Sequence, residues 1–216
     1  MGRNQRIDSS GYVYHWIRAD PYKKGDKHKN YEVAYQKLLE ILIDGFLKPG
    51  HEKFTAGEKS ICFTESPEYF SEWDQSRYQP FGFKFVKIKI YEQGGRPVFY
   101  GSYSDFYALP KSLKWRFAPH LPTKITTDWP YGLDYTWERE WRLRCTELDL
   151  LSAVAIIVPD NTYASRLETD IYEITNVNAV CYWLGSADAR DDEEYREYFS
   201  SIFERIEFPR KFDEII

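Results

Sequence analysis

At 216 residues the chain is long enough to bury a core without disulfide staples. Its formal net charge of −5 excludes a histone-like grip on nucleic acid that rests on overall positive charge. Aromatic residues reach 18%, with 7 Trp, 18 Tyr and 14 Phe, which points to a core of large flat side chains and to aromatic-lined clefts.

Three cysteines, Cys62, Cys145 and Cys181, are odd in number and far apart, so no disulfide framework and no Cys/His metal cluster is expected. A reducing compartment suits them. MGRNQRIDSSG lacks the apolar run of a signal peptide, and no segment approaches the roughly 20 apolar residues of a membrane span. The expectation is a soluble, cytoplasmic protein with no membrane partner.

In chain order, GYVYHWIR (11–18) is β-branched and aromatic and reads as a first strand. The lysine-rich loop that holds Lys23, Lys24, Lys27, His28 and Lys29 reads as solvated. YEVAYQKLLEILIDGF sets Val33, Leu38, Leu39, Ile41, Leu42 and Ile43 at helical spacing, and Gly45 suits a left-handed cap. SICFTES (60–66) is a short second strand, after which Pro67 opens a brief helical turn through Phe70.

FGFKFVKIKIY (81–91) alternates as a half-buried strand with a register break near Val86-Lys87. Gln93-Gly94-Gly95 then turns the chain so that 96–100 returns as its hairpin partner. Residues 104–118 read as irregular helix around Pro110, and 119–130 as loop. TWEREWRLRC reads as strand, LSAVAIIVPD (151–160) as an apolar strand, AVCYWLG (179–185) as a last strand, and 190–206 as an acidic amphipathic helix. One α+β domain over 1–216 is the economical reading.

TWEREWRLR (136–144) carries the chemistry. On a strand, Trp137, Arg139, Trp141 and Leu143 share one face, and Glu138, Glu140, Arg142 and Arg144 the other. Two carboxylates roughly 7 Å apart make either a solvent face laced with ion pairs or a cleft floor that polarises a substrate hydroxyl. His15 in the first strand, the hydroxyls of Thr64 and Ser66, and the aromatic turn Arg77-Tyr78-Gln79-Pro80-Phe81-Gly82 favour the cleft.

The order of these segments resembles the ADP-ribosyltransferase fold, most of all single-domain DNA-ADP-ribosyltransferase toxins and abortive-phage-infection proteins of the AbiGi type. The resemblance rests on Phe63-Thr64-Glu65, Tyr78-Gln79-Pro80-Phe81-Gly82, Gly94-Gly95-Arg96-Pro97-Val98 and Glu138-Arg139-Glu140-Trp141-Arg142. It covers roughly 11–160 and leaves 161–216 as a C-terminal extension with a strand and an amphipathic helix.

The resemblance implies two small sheets around a cleft with flanking helices, and NAD as cosubstrate with no metal. It implies that His15 binds a ribose, Tyr78 stacks on nicotinamide and Thr64 helps to floor the cleft. Glu140 or Glu138 would be the catalytic carboxylate, with Arg96 or Arg142 at the pyrophosphate. Two departures stand out: FTES replaces the Ser-Thr-Ser of many relatives, and Ile17 stands where a Thr is usual.

The implied function is transfer of ADP-ribose to a macromolecular acceptor, protein or nucleic acid, or NAD cleavage, in a bacterial toxin or phage-defence setting. Two other classes stay open. One is a non-catalytic immunity, antitoxin or interaction protein that meets a partner protein through the aromatic stripe of the last helix (Tyr195, Tyr198, Phe199, Ile202, Phe203, Ile206). The other is a hydrolase or nuclease that holds a divalent ion between the paired acids.

Overall fold

The computed structural model describes residues 10–18, 31–50, 55–65, 80–127, 129–183 and 192–207, apart from the side chains of 175–183 and 192–196. The lysine-rich loop at 23–29, the turn after Pro67, and Tyr78 lie outside the described residues. The chain is mixed α+β.

Strand β1 is Tyr12–Trp16. Helix α1, Tyr31–Asp44, buries Ala34, Tyr35, Leu38 and Leu42, the i, i+4, i+8 stripe and its neighbour. Val33, expected on that stripe, is 56% exposed. Gly45 caps the helix at φ 78°, its N–H bonded to the Ile41 carbonyl at 3.0 Å. Strands β2 (Phe46–Leu47), β3 (Ser60–Thr64) and β4 (Gly82–Val86) follow.

The register break expected near Val86-Lys87 is a change of element. Lys87–Glu92 is helix α2, and Ile88 is exposed while Ile90 is buried. The glycine pair does not turn a hairpin; it ends this helix. The Gly95 N–H reaches the Ile90 carbonyl at 2.8 Å and the Gly94 N–H that of Tyr91 at 3.0 Å, with Gly94 at φ 99°. That crossed pair of bonds is the Schellman arrangement, which uses the same Gly signal as a tight turn. A Cβ on Gly95 would stand 2.7 Å from the Ile90 carbonyl oxygen, so the helix end closes only over glycine. The following strand, β5 (Arg96–Pro97), pairs instead with a strand more than forty residues on.

Strand β6 (Phe99–Gly101) leads to α3 (Tyr103–Ala108), which opens on a Ser102–Asp105 capping box. After Pro110 a 3₁₀ helix, Lys111–Arg116, runs into β7 (Phe117–Pro119), parallel to β6.

The TWEREWRLR stretch is not strand throughout. Asp134 accepts from the N–H of Thr136 at 2.8 Å and starts a 3₁₀ turn, Thr136–Glu138. Arg139 then adopts a left-handed conformation, φ 48°. Only Glu140–Arg144 is strand, β8. Trp137, expected in the core, is 48% exposed, because the kink takes it off the strand's alternation.

Strands β9 (Leu148–Asp149) and β10 (Ala153–Ile157) precede α4, Asn161–Trp183. The strand expected at 179–185 is therefore overturned, since 179–183 belong to this helix. Asp160 caps it by accepting from Thr162 N–H at 2.9 Å, and no Gly or Pro occurs from 161 to 183 to stop it. Helix α5 (Asp192–Phe203) and β11 (Ile206–Glu207) close the described chain.

Two compact units emerge, each drawn from separated stretches of sequence. The first takes in Met1–His15, Phe46–Pro67 and Phe85–Asp149; the second takes in Trp16–Gly45, Glu68–Lys84 and Leu150–Ile216. In the first, strands neighbour one another in the order β1-β3-β8-β5, and their pairings are antiparallel. Val13, Ile61, Phe63 and Leu143 make its buried face. Burying Phe63 contributes about 1.5–3 kcal/mol.

In the second unit β10 and β11 are parallel, and α1, α4 and α5 carry the core. Phe199 and Ile202 of α5 are buried, and the Tyr198 hydroxyl donates to the Leu42 carbonyl at 2.9 Å. These members of the aromatic stripe thus pack within their own unit. Between α1 and α4, the guanidinium of Arg166 grips Glu32 with two bonds of 2.7 and 2.8 Å and lies 4.1 Å over the Tyr35 ring.

Those bonds from Arg166, with one from Gln36, hold the Glu32 carboxyl down at about 2 against an ordinary 4.5. A depressed acid contributes stability above its unfolded value and loses it as pH falls through its folded one. The gap in urea midpoint between wild type and Glu32→Gln is therefore expected to be full above about pH 5 and to shrink steadily toward pH 2. Glu32 is solvent-exposed, so the gap is small.

Lys84, Lys87 and Lys89, a basic cluster in the sequence, each pair with a carboxylate: Glu207, Glu65 and Glu92, at 2.7, 2.9 and 2.9 Å. They make no free cationic stripe. Among the described residues, no helix is long and apolar enough to cross a membrane.

Candidate functional site

The register of the first unit decides which side chains meet. Tyr14 pairs with Thr64, and Thr64 with Glu140. Cys62 pairs with Arg142, and Arg142 with Arg96. Opposed residues share a face, so Tyr14, Cys62, Thr64, Glu140, Arg142 and Arg96 stand on one side. Val13, His15, Ile61, Phe63, Trp141 and Leu143 stand on the other. The first side is polar and the second is the core, an assignment set by the pleat.

Glu140 is the centre of the polar side. The Arg142 guanidinium holds its carboxylate with two bonds, Nε to Oε1 at 2.7 Å and Nη2 to Oε2 at 3.1 Å. Arg142 is 3% exposed, and its Nη1 donates to the carbonyls of Trp115 (2.6 Å) and Phe117 (2.9 Å) at the end of the 3₁₀ helix. Burial works against the Arg142 charge, and the Glu140 carboxylate more than offsets it, so the guanidinium stays protonated. A fork so engaged is a clamp on Glu140, and its donors do not turn toward a pyrophosphate.

The acid itself keeps acceptor capacity. An ionised carboxylate offers about four lone-pair sites, of which Arg142 takes two. Glu140 retains 13% side-chain exposure through which a hydroxyl can reach it. Its backbone N–H donates to the phenolic oxygen of Tyr100 at 2.7 Å. Burial pushes the Tyr100 hydroxyl up, and the charges of Glu140 and Glu138 push it further, so it stays a protonated donor. Both acids therefore act on one phenol, although they do not sit on one strand. Thr64 joins them: its hydroxyl donates to the Glu138 carbonyl.

Cys62 is exposed on this polar face, beside Glu140 and Arg142. Burial and then the Glu140 charge push its thiol far up, which rules out a ready thiolate nucleophile.

His15 stands apart from this group. Its Nδ1 lies 2.8 Å from the Cys62 carbonyl, so Nδ1 carries the proton, and its ring meets Phe63 edge-on at 6.1 Å. Burial pulls the imidazole below its ordinary value, with the Cys62 carbonyl opposing in part, so the ring is neutral near pH 7. It pins β1 to β3 from the core side. Glu65, one residue past β3, braces the kink before β8. Its carboxylate takes Trp141 Nε1 at 2.9 Å and Lys87 Nζ at 2.9 Å, with Arg139 at 3.8 Å.

The structure thus brings together Glu138, Glu140, Thr64, Arg142 and Arg96 and sets His15 on the opposite face; Tyr78 lies outside the described residues. Sequence reasoning missed Tyr100, whose side chain arrives from β6, forty residues before Glu140, and carries no local signature. Among the described residues, no three His, Cys, Asp or Glu side chains converge as a metal site.

No protein-family model matches the chain, and no curated protein or solved structure matches it either.

Proposed function

We propose that the chain cleaves the nicotinamide–ribose bond of NAD and passes the ADP-ribosyl group to a macromolecular acceptor or to water. The observation that carries this reading is the rigidly aimed, partly open carboxylate of Glu140 on a polar sheet face. The adjacency of β1, β3 and β8 supports it too, because it gathers the leading strand, the hydroxyl turn and the late acid strand into one sheet. Those are the segments on which the resemblance to ADP-ribosyltransferases rests, and 161–216 again stands as their extension.

In this reading the C1′–N bond breaks with its electron pair leaving on nicotinamide. The ribose develops positive charge, and Glu140 stabilises it while accepting a ribose hydroxyl. The acceptor then adds its lone pair at C1′ and gives up a proton, for which Glu138, whose charge acts on the same Tyr100 phenol as that of Glu140, is the second acid. Arg142 is a positioning residue. Arg96, on the same face, meets phosphate. His15 takes no part in the chemistry, a revision that follows from its place among Phe63 and Trp141.

Purified protein incubated with NAD should release nicotinamide. His15→Ala is expected to leave the rate at low temperature within about threefold of wild type while lowering the melting temperature, because it removes a strand-to-strand hydrogen bond and not a reacting group. Absence of nicotinamide release by wild type with every tested acceptor would overturn the reading. No observation favours the two other classes: Phe199 and Ile202 of the stripe are internally packed, and the kink at Arg139 removes the strand-paired acids that a divalent ion would need.

A further inference from the structure

The geometry points to a binding site for a small organic cation with an alkylated ammonium head, on α4 and α5 of the second unit. An open hollow of about 460 Å³ is lined there by Glu168, Thr169 and Tyr172 of α4 and by Phe203 of α5. That volume falls in the ordinary range of small-molecule sites. None of the four side chains has a part in the NAD reading, and the test of the site is independent of it.

The two rings are surplus to the core. On α4 the buried stripe is Leu167 and Ile171, while Tyr172 is 67% exposed. On α5 Phe199 and Ile202 are buried, and Phe203 beside them is only half-buried. Helical spacing adds the acid: positions 168 and 172 are four apart, so the Glu168 carboxylate and the Tyr172 ring share one face of α4.

The polar groups select the sign of charge. Glu168 is exposed and meets no cation within ion-pair distance among the described residues. The neighbouring guanidiniums are engaged on other groups. Arg166 grips Glu32, and Arg205 Nη1 donates to the carbonyls of Leu151 and Ala153, both at 2.9 Å. Thr169 gives its hydroxyl proton to the Ser165 carbonyl at 2.9 Å. The hollow thus offers a carboxylate and two aromatic rings, and an anion finds no cationic partner among its lining residues. One carboxylate is too small a ligand set to strip water from a hard metal ion. An alkylated ammonium sheds its water readily, and its positive charge is attracted to Tyr and Phe rings.

Proton NMR titration of choline with the full chain is expected to move the choline methyl resonance upfield, as aromatic ring currents do, with a dissociation constant of about 1 mM. The neutral isostere 3,3-dimethylbutan-1-ol, which has carbon in place of the nitrogen, should bind about tenfold more weakly, because it keeps the shape and loses the charge. Tyr172→Leu should weaken choline about two- to fivefold, the scale of one exposed cation–ring contact, and Tyr172→Phe should retain it. Glu168→Gln should weaken choline to a similar extent and remove most of its dependence on salt. Both positions are exposed, so these variants keep the fold.

A choline resonance that does not move at millimolar concentration would overturn the site. So would equal affinity for the neutral isostere, the mark of a merely apolar hollow, or choline binding that Tyr172→Leu and Glu168→Gln both leave unchanged. A peptide bearing trimethyl-lysine that binds more than about tenfold tighter than choline would overturn the small-molecule occupant in favour of a protein partner.

Discussion

Glu140→Gln is expected to lower NAD cleavage by about 10²–10³-fold, the range seen when one preorganised electrostatic stabiliser is removed from a water-poor site. The substitution keeps shape and one acceptor oxygen, so ground-state binding of NAD should change little. The loss belongs in kcat, because the positive charge that Glu140 meets exists only as the glycosidic bond breaks. The measurement is nicotinamide release at a temperature where both proteins are folded, with NAD affinity read separately. A rate within threefold of wild type would remove Glu140 from the reaction. Glu138→Gln is the paired control: loss of transfer with retained hydrolysis would mark it as the acid that serves the acceptor.

Arg142→Leu should produce a large loss of stability in the first unit, on the scale of truncating a core aromatic. It strips Glu140 of two bonds and leaves a mostly buried carboxylate facing an apolar side chain, while two carbonyls lose their donor. Breaking a buried pair from one side costs about 3–5 kcal/mol, whereas replacing both partners by packed apolar groups is often nearly neutral. The double variant Glu140→Leu/Arg142→Leu should therefore recover much of the stability that Arg142→Leu loses. Urea denaturation of the four proteins forms a double-mutant cycle, and a coupling free energy near zero would show that the pair is not a unit. In the double variant a well-folded chain without activity would separate fold from chemistry.

Much of the fold was legible where periodicity is strong and punctuation unambiguous. β1, α1 with its Gly45 cap, β3, β10 and the last helix stand within a few residues of where alternation, helical spacing and glycine put them. Errors arose where one signal serves two structures. Gly94-Gly95 ends a helix and could equally have turned a hairpin, and the lysines and isoleucines of 87–92 satisfy either period. AVCYW has the composition of a strand, but the uninterrupted run from Asp160 carried it into α4.

The candidate site was partly legible for a related reason. Alternation does put Glu140 and Arg142 on one face, and their pairing follows. What no local pattern foretold was the left-handed turn at Arg139, because it depends on Asp134 capping from one side and Glu65 bracing from the other. Whether His15 faces the acids of β8 is not legible in the sequence, because parity within β1 cannot be tied to parity within β8 until the register through β3 is known; one step of slip exchanges the two faces. Tyr100 acts through a contact that only the folded chain creates.

Strand β5 has a consequence for how the molecule behaves in company. It stands at one end of its sheet's strand order, is two residues long and ends in Pro97, which has no N–H to offer. A sheet that terminates in a long regular strand invites another chain to dock there and grow toward fibrils. One that terminates in an arginine and a proline gives a newcomer almost no ladder to extend. The margin beside Arg96 is thereby kept from templating aggregation, and stays open to small solutes.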